Sequence, residues 1–248
     1  MDVIKLLAVG NSFSEDALYY LHDVAKADDI ELKVVNLYIG GCPLERHVRN
    51  ILTESKDYLL EINGESTEQY VSINETLKEE KWNYIITQQA SHDSGMMESY
   101  FPYLDQLLDY FKTNCPDAEY LLHKTWAYEM DSDHSEFGRY HCNQQEMYEK
   151  LTDCYDKASK KTGMRLIPSA DVIQRVRKNA PFRYENGEKS LCRDGYHMDM
   201  IYGRYLLAGV MYTFLFERDI RKNRFVPKGA EIEVLNVIKQ CICNEFNQ

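Results

Sequence analysis

Residues 4–14 read I-K-L-L-A-V-G-N-S-F-S, and this segment gives the clearest indication of the fold class. The apolar run 4–9 has the length and composition of a buried β-strand, and it ends directly at Gly10. Ser14 and the two acidic residues after it have the pattern of a helix cap with a negatively charged first turn, so we expect a helix to about Ala27. A buried strand that passes through a glycine turn into a helix is typical of a parallel α/β sheet.

The rest of the chain repeats this alternation of short apolar runs and amphipathic segments. Further strands are predicted at 30–39, 83–87, 118–125 and 165–168, and a helix with Pro43 in its first turn follows the second strand. Later helices are predicted at 97–114, 146–161, 200–217 and 230–244, and a long polar loop at 130–145. This pattern predicts an α/β fold, a three-layer α/β/α sandwich around a parallel sheet of about five strands.

One small insertion interrupts the alternation. In segment 57–73 the pair Asn63-Gly64 separates two β-prone runs, which indicates a small hairpin. The chain contains no internal repeat, low-complexity tract or linker, so we expect a single domain over residues 1–248.

Composition excludes several classes of partner. The 248 residues include 29 Lys and Arg against 40 Asp and Glu, a formal net charge of −11. Such a balance disfavours nucleic acid and anionic membranes, because both attract basic surfaces. The longest apolar run, 206–216, is shorter than the roughly 20 residues of a membrane span. No nucleic-acid or membrane partner is therefore expected.

The cysteines and the first residues indicate the compartment. The seven cysteines include no C-x-x-C pair, which is typical of reduced thiols rather than a disulfide framework or a zinc site. The N-terminal residues, beginning Met1-Asp2, do not form the basic and apolar regions of a signal peptide. We therefore expect a cytoplasmic protein without a bound metal.

Polar segments follow the predicted strands at the point where each strand ends. They are 10–14, 40–42, 88–95 and 124–128, and a further polar cluster, 193–199, precedes the penultimate helix. In a doubly wound sheet, ligands bind outside the carboxyl ends of the strands. The site is therefore predicted among these five segments.

These segments carry a family resemblance. G-N-S-F-S after the first strand and D-G-Y-H at 194–197 resemble the first and last sequence blocks of the SGNH/GDSL hydrolases. The glycines at 40–41 resemble the second block, and 88–95 occupies the position of the third. The runs G-G-C-P-L-E-R-H, Q-Q-A-S-H-D-S-G and K-T-W-A-Y resemble an uncharacterised bacterial branch of that superfamily. The resemblance spans nearly the whole chain and implies a flavodoxin-like sheet, the SGNH hydrolase fold.

The resemblance implies a Ser-His-Asp hydrolase. Ser12 would be the nucleophile, His197 the general base and then acid, and Asp194 the residue that orients the imidazole. Ser12 is also a plausible helix cap, and Asp199 is an alternative partner for His197. Asp194 and His197 lie three residues apart, so one turn of chain can bring their side chains together.

The third oxyanion donor departs from the superfamily pattern. The backbone N–H groups of Ser12 and of Gly41 or Gly40 would supply two donors. The superfamily supplies a third from the Asn of G-x-N-D, whereas this chain has Q-Q-A-S-H-D at 88–93. His92 falls at the Asn position, but Gln88 is chemically closer, and Gln89 is a further amide beside it. Both Gln88 and His92 therefore remain candidates.

We expect three residues to contact the substrate: Asn11, Gly40 and Trp126. The mechanism needs no cofactor, and the expected partner is a small-molecule ester, with acetyl on a carbohydrate or small polar alcohol preferred because of carbohydrate esterases in the superfamily. Two other functions stay open: a catalytically weakened ligand-binding module on the same fold, and a metal-dependent hydrolase. The residues considered for the metal were His92, Asp93, His134, Asp194 and His197.

Overall fold

A seven-stranded sheet forms the middle layer of the computed structural model, which describes residues 3–247. The strands are β1 Ile4–Gly10, β2 Leu32–Tyr38, β3 Tyr58–Ile62, β4 Glu65–Val71, β5 Tyr84–Thr87, β6 Glu119–His123 and β7 Arg165–Ile167. Met1 and Asp2, the start of the segment examined for a signal peptide, and Gln248 lie outside the described residues.

The sheet order is β4-β3-β2-β1-β5-β6-β7. The pairs β2–β1, β1–β5, β5–β6 and β6–β7 are parallel, so the predicted strands have the flavodoxin-like order 2-1-3-4-5. Segment 57–73 contains the hairpin β3–β4, which pairs antiparallel with the edge of β2. The predicted α/β/α fold is confirmed, and the sheet is larger than the expected five strands because the hairpin extends it.

Nine helices within residues 3–247 cover the two faces of the sheet. They are α1 Ser12–Leu18, α2 Leu21–Lys26, α3 Leu44–Thr53, α4 Ile73–Glu79, α5 Tyr103–Asn114, α6 Gln144–Thr162, α7 Ser169–Arg177, α8 Tyr202–Phe216 and α9 Ile232–Glu245. Helices α1, α2, α7, α8 and α9 pack together on one side, and α3 contacts α4 and α5. In β1, Leu6 to Val9 are fully buried, as expected for a strand covered on both faces.

The helix predicted at 14–27 is wrong in its start and its continuity. It begins at Ser12, because Asn11 caps it: the Asn11 side chain accepts a hydrogen bond from Phe13 N–H. It is also divided into α1 and α2. At the break, the hairpin residue Gly64 lies so close to the Tyr19 carbonyl that a Cβ on it would stand 2.3 Å from that oxygen.

The irregular regions contain more helix than predicted. Neither α4 nor α7 was expected, and the predicted loop 130–145 includes a 3-10 helix, Ser135–Tyr140. Helix α7 buries Val172, Ile173 and Val176 against α8 and α9, so its stability comes from tertiary packing. Among the helices of residues 3–247, none combines the length and apolarity that crossing a bilayer requires.

Candidate active site

Ser12, His197 and Asp194 form a continuous hydrogen-bonded chain at the carboxyl end of β1. Ser12 Oγ lies 2.8 Å from His197 Nε2, and His197 Nδ1 lies 2.7 Å from Asp194 Oδ2. The imidazole is 20% exposed and the carboxylate 40% exposed, so solvent reaches both. This is the arrangement in which an imidazole can take the proton of a serine hydroxyl while a carboxylate fixes its tautomer.

Local sequence places Ser12 at the first position of α1. Asn11 precedes it in an extended conformation, and its side chain both caps the helix and donates a 3.1 Å hydrogen bond to the Cys42 carbonyl. Gly10 is required because a Cβ there would lie 2.4 Å from Ser14 Oγ. The amide of the first helical residue lies ahead of the intrahelical hydrogen bonds, so Ser12 N–H is oriented for a ligand.

A narrow loop carries Asp194 and His197. It is closed by an antiparallel bridge between Cys192 and Met198 and by Arg193 N–H, which donates to the His197 carbonyl at 2.9 Å. Gly195 at its tip has φ +86°, and a Cβ there would stand 2.9 Å from the Ser132 backbone. The short closed loop therefore holds the Asp194 carboxylate and the His197 imidazole next to each other.

Asp194 is held as a carboxylate by its neighbours. Burial alone raises its pKa, but hydrogen bonds from the His197 side chain and from the N–H groups of His197 and Tyr196 outweigh burial and lower the pKa. The alternative partner Asp199 is wrong, because its carboxylate accepts from the Ile201 and Tyr202 N–H groups at the start of α8.

A fully buried carboxylate, Asp16, connects helix α1, which carries Ser12, to the loop that carries Asp194 and His197. This role was not predicted from the sequence. Asp16, one turn after Ser12 on α1, accepts hydrogen bonds from Arg193 at 2.9 Å, from Arg204 at 2.8 Å and from Met198 N–H at 2.8 Å. Arg193 also donates to the Met198 carbonyl. Spacing i, i+4 places Asp16 on the face of Ser12, which is the one sequence signal for this role.

A second chain of polar side chains supports the turn between β1 and α1, where Ser12 lies. Ser14 Oγ accepts from Asn11 N–H at 3.1 Å and lies 2.8 Å from Asn36 Oδ1. Asn36 Nδ2 donates to Glu61 of the hairpin at 2.7 Å. Burial raises the pKa of Glu61 to about 7. The hairpin is thus connected to the site through three buried side chains.

The glycine pair lies where the sequence predicted, after β2. Gly40 and Gly41 are exposed, and Gly41 has φ +61°, a conformation that favours glycine. The hydrogen bond from Asn11 to the Cys42 carbonyl attaches this turn to the turn that carries Ser12.

The candidate oxyanion side chains differ in environment. Gln88 is wholly buried, its Nε2 lies 3.4 Å from Asn11 Oδ1, and its Oε1 has no partner among residues 3–247. The Gln89 side chain is already hydrogen-bonded, because its Oε1 accepts from the Leu44 N–H at the start of α3. The His92 side chain is 25% exposed. Of these three, His92 alone has a side chain open to solvent.

Two of the residues assigned to substrate binding are buried instead. Trp126 has no exposed surface, stacks on Phe13 at 4.0 Å between ring centroids, and donates from Nε1 to the Tyr196 carbonyl at 2.8 Å. Asn11 is likewise buried, with its amide and carbonyl used by Cys42 and Phe13. Both therefore support the site from within rather than facing a substrate.

Partly exposed rings lie beside His197. The Tyr196 ring is 4.4 Å from His197 and 4.8 Å from His134, and His134 is stacked 6.2 Å from His92. Burial first, and then the charge of His92, lowers the pKa of His134. Tyr196, His134 and His92 thus form a continuous ring wall next to the general base.

The residues considered for a metal do not form a ligand cluster. Asp93 is paired with Arg139 at 2.6 Å, Asp194 is bound to His197, and His134 Nδ1 accepts from Glu136 N–H. Within the described part of the chain, no three His, Cys, Asp or Glu side chains are grouped closely enough to hold a metal ion. Nothing in the arrangement of these side chains favours the metal-dependent alternative.

Comparisons with known structures agree with this geometry at the level of the fold. A candidate SGNH hydrolase from Slackia heliotrinireducens is 20% identical, with TM-score 0.55 over 85% of this chain and 97% of its own. An acetyl-xylooligosaccharide esterase from Geobacillus Stearmophilus is 13% identical, with TM-score 0.57 over 91% of this chain and 97% of its own. The chain therefore has the SGNH hydrolase fold, as the resemblance predicted.

The family is shown by a closer match. A protein from Bacteroides uniformis, described as a member of the DUF4886 family, is 36% identical, with TM-score 0.92 over 99% of this chain and 95% of its own. The family model described as a domain of unknown function, DUF4886, matches residues 5–244. No curated protein matches the chain. From its sequence and its structure alike, this chain belongs to the DUF4886 family.

Proposed function

We propose that the chain is a serine esterase that cleaves short-chain carboxylic esters through an acyl-enzyme on Ser12. The observation that carries the proposal is the chain of hydrogen bonds from Ser12 through His197 to Asp194, at 2.8 and 2.7 Å. A serine hydroxyl is a weak nucleophile, and a base at this distance is what activates it.

In the acylation step, Ser12 Oγ attacks the ester carbonyl and His197 Nε2 takes its proton. Asp194 accepts from Nδ1–H and stabilises the imidazolium that forms. The imidazolium then donates its proton to the leaving alcohol. In the second half of the cycle water attacks the acyl carbonyl while His197 takes a proton from it, and the imidazolium then returns that proton to Ser12 Oγ as the carboxylic acid is released.

The negative charge on the tetrahedral oxygen needs donors that are already in position. Ser12 N–H at the start of α1 and Gly41 N–H in the adjoining turn are the two backbone donors of the proposal. His92 is the side-chain donor that we favour over Gln88, because Gln88 is buried and directed at Asn11.

The ring wall suggests the substrate class. Tyr196 contacts His197, and the partly exposed rings of His134 and His92 continue the wall away from it. Flat faces with polar edges suit a sugar or another small polar alcohol. Acetyl on such an alcohol is therefore the preferred substrate, and the fold shared with acetyl-xylooligosaccharide and acetyl xylan esterases is consistent with it.

The direct test is intact-mass spectrometry after exposure to a fluorophosphonate, followed by peptide mapping. Wild type is expected to gain one adduct on Ser12, and Ser12→Ala and His197→Ala to gain none in the same time. Ser66→Ala, which removes an exposed hydroxyl on β4, is the matched control and is expected to label like wild type.

Turnover of aryl acetate, butyrate and octanoate esters completes the test. Acetate is expected to be the best substrate, with Ser12→Ala reducing kcat/KM by at least about 10³-fold. The serine mechanism would be contradicted if wild type were not labelled, or if Ser12→Ala kept the turnover of wild type. The ligand-binding alternative would then be the better account of the fold.

A further inference from the structure

A cavity lies beside Glu129, whose N–H donates to the Gly195 carbonyl of the loop that carries Asp194, and its lining includes neither Ser12, Asp194 nor His197. Its volume is about 400 Å³, and it is enclosed by the first turn of α6, the end of α7, residues 129–130 and residues 182–185. Cavities of 300–1,000 Å³ with a few convergent polar groups are the usual size of small-molecule sites.

The floor of the cavity is charged but internally neutralised. Glu129 and Arg177 are both buried, and Arg177 Nε lies 3.6 Å from Glu129 Oε1. Glu129 also accepts from Gln144 at 2.7 Å and from Ser190 at 2.8 Å. The charges of Glu129 and Arg177 compensate each other, so a charged ligand would gain little electrostatic binding energy from this floor. A neutral polar ligand is therefore favoured.

The carboxamides of the cavity present complementary hydrogen-bonding groups. The Gln144 amide nitrogen is used by Glu129 and by the Tyr128 carbonyl, which leaves its carbonyl oxygen as an acceptor. The Gln174 carbonyl accepts from Arg177, which leaves its amide nitrogen as a donor. A hydroxyl group both donates and accepts, so neighbouring hydroxyls match this pair.

An aromatic side chain closes the cavity. Tyr184 is partly exposed, and its hydroxyl donates to Asp131 Oδ2 at 2.6 Å, which fixes the ring. A fixed ring offers flat apolar surface to the C–H face of a sugar. At the mouth of the cavity, Lys178 and Glu185 carry opposite charges, so the mouth favours neither cationic nor anionic ligands.

We propose that this cavity is a binding site for a neutral polyhydroxylated ligand of one or two sugar rings, separate from the esterase site. Its floor is attached to the catalytic loop: Glu129 N–H donates to the Gly195 carbonyl at 2.7 Å, and Arg177 contacts the Cys192 sulfur at 3.7 Å. A sugar bound there therefore lies on two residues, Glu129 and Arg177, that in turn contact the loop carrying His197.

The chain carries its own reporter for this site. Cys142 lines the cavity, and it is exposed whereas the other six cysteines are buried. The experiment follows iodoacetamide alkylation of Cys142 by mass spectrometry, in wild-type protein with xylobiose, cellobiose or maltose, and with glycylglycine as an amide control. Calorimetry with the same compounds gives Kd independently, and neither readout requires esterase activity.

A bound sugar covers the thiol, so at about three times Kd the alkylation rate is expected to fall about fourfold. Gln174→Leu, which removes a donor, and Gln145→Trp, which narrows the mouth from an exposed position, are expected to abolish protection and calorimetric binding. Gln240→Trp, at an exposed position of α9, is the matched control and is expected to bind like wild type.

Three outcomes overturn the proposal. They are no binding of any sugar to wild type, binding of glycylglycine alone, and sugar binding that Gln145→Trp and Gln174→Leu leave unchanged. Because labelling of Ser12 by a fluorophosphonate is measured separately, loss of sugar binding and loss of esterase chemistry are distinguishable.

Discussion

At the scale of the residue, the site depends on where a few polar atoms point. His197 uses one ring nitrogen for Ser12 and the other for Asp194, and Asp194 uses its second oxygen for backbone N–H groups. The hydrogen bonds to Ser12 and Asp194 fix the orientation of the imidazole, and the backbone N–H groups fix the Asp194 carboxylate. The nucleophile, base and orienting carboxylate are therefore pre-arranged before a substrate arrives.

Asp194→Asn tests the orienting role. An amide can donate where the carboxylate accepts, so the wrong imidazole tautomer becomes available and kcat is expected to fall by about 10²–10⁴-fold. KM and the melting temperature should change little, because the side chain is 40% exposed. Steady-state kinetics on an aryl acetate measures this, with the exposed Asp133→Asn nearby as control. Full activity in Asp194→Asn contradicts the assignment.

His92 and Gln88 are expected to separate into different effects. His92→Ala removes a partly exposed donor, so kcat should fall by about 10²-fold at unchanged melting temperature. Gln88→Ala removes a buried amide below the Ser12 turn, which is expected to cost about 1–3 kcal/mol of unfolding free energy. Kinetics and thermal unfolding of both variants decide the matter. The reverse pattern would make Gln88 the oxyanion donor.

At the scale of the element, α1 and the 192–198 loop must be held in register. The buried Asp16 carboxylate does this by accepting from Arg193, Arg204 and Met198 N–H at once. Its four oxygen–donor contacts are shorter than or equal to 3.1 Å, and Arg204 is itself buried. The distance from Ser12 to His197 therefore depends on the Asp16 charge cluster, one member of which, Arg193, also donates its backbone N–H to the His197 carbonyl.

Asp16→Asn is expected to lower the unfolding free energy by about 3–5 kcal/mol, because it leaves the buried Arg204 charge poorly compensated. The rate of fluorophosphonate labelling of Ser12 should fall as well, because the loop is less firmly held. Chemical denaturation and labelling kinetics check both effects. Asp23→Asn, at an exposed position of α2, is the control, and equal stability of the two variants would refute the role of Asp16.

At the scale of the whole molecule, the site lies at the point where the strand order reverses. β1 stands between β2 and β5, so the turns after these three strands meet around Ser12. The hairpin adds a buried carboxyl to this edge, since Glu61 reaches Asn36 of β2 and through it Ser14. The inserted hairpin is in this way coupled to the centre of the sheet through β3.

Glu61 makes stability depend on pH. Burial raises its pKa from 4.5 to about 7 in the folded chain, so between these values the folded state binds more protons than the unfolded state. Stability therefore falls as pH rises through this window, by at most about 3 kcal/mol. Glu61→Gln removes this loss, so the variant should melt up to about 6–12 °C above wild type at pH 8.

The comparison is made by thermal unfolding at pH 5 and pH 8. At pH 5 the variant and wild type should differ little, because Glu61 is then mostly protonated in the folded chain. Glu65→Gln, exposed on β4, should follow wild type at both pH values. A gain that is equal at pH 5 and pH 8 would show that protonation of Glu61 is not the cause.

Local features of this protein can be predicted from its amino-acid sequence. Apolar runs of strand length, the glycine turn before Ser12 and the three-residue spacing of Asp194 and His197 predict the parallel sheet and the candidate residues, because each depends on near neighbours in the chain. The resemblance to SGNH hydrolases added the order in which these segments meet. The observed sheet order confirms the predicted fold.

Tertiary structure alone decided what joins distant segments. Ser12 and His197 are separated by 185 residues, and Asp16 and Arg204 by 188, so no periodic pattern records their contacts. The burial of Asn11 and Trp126, the extra helix α7 and the raised pKa of Glu61 follow from what packs around each residue in three dimensions. Burial is a property of the assembled chain, because the free-energy cost of enclosing a polar group depends on which partners reach it there.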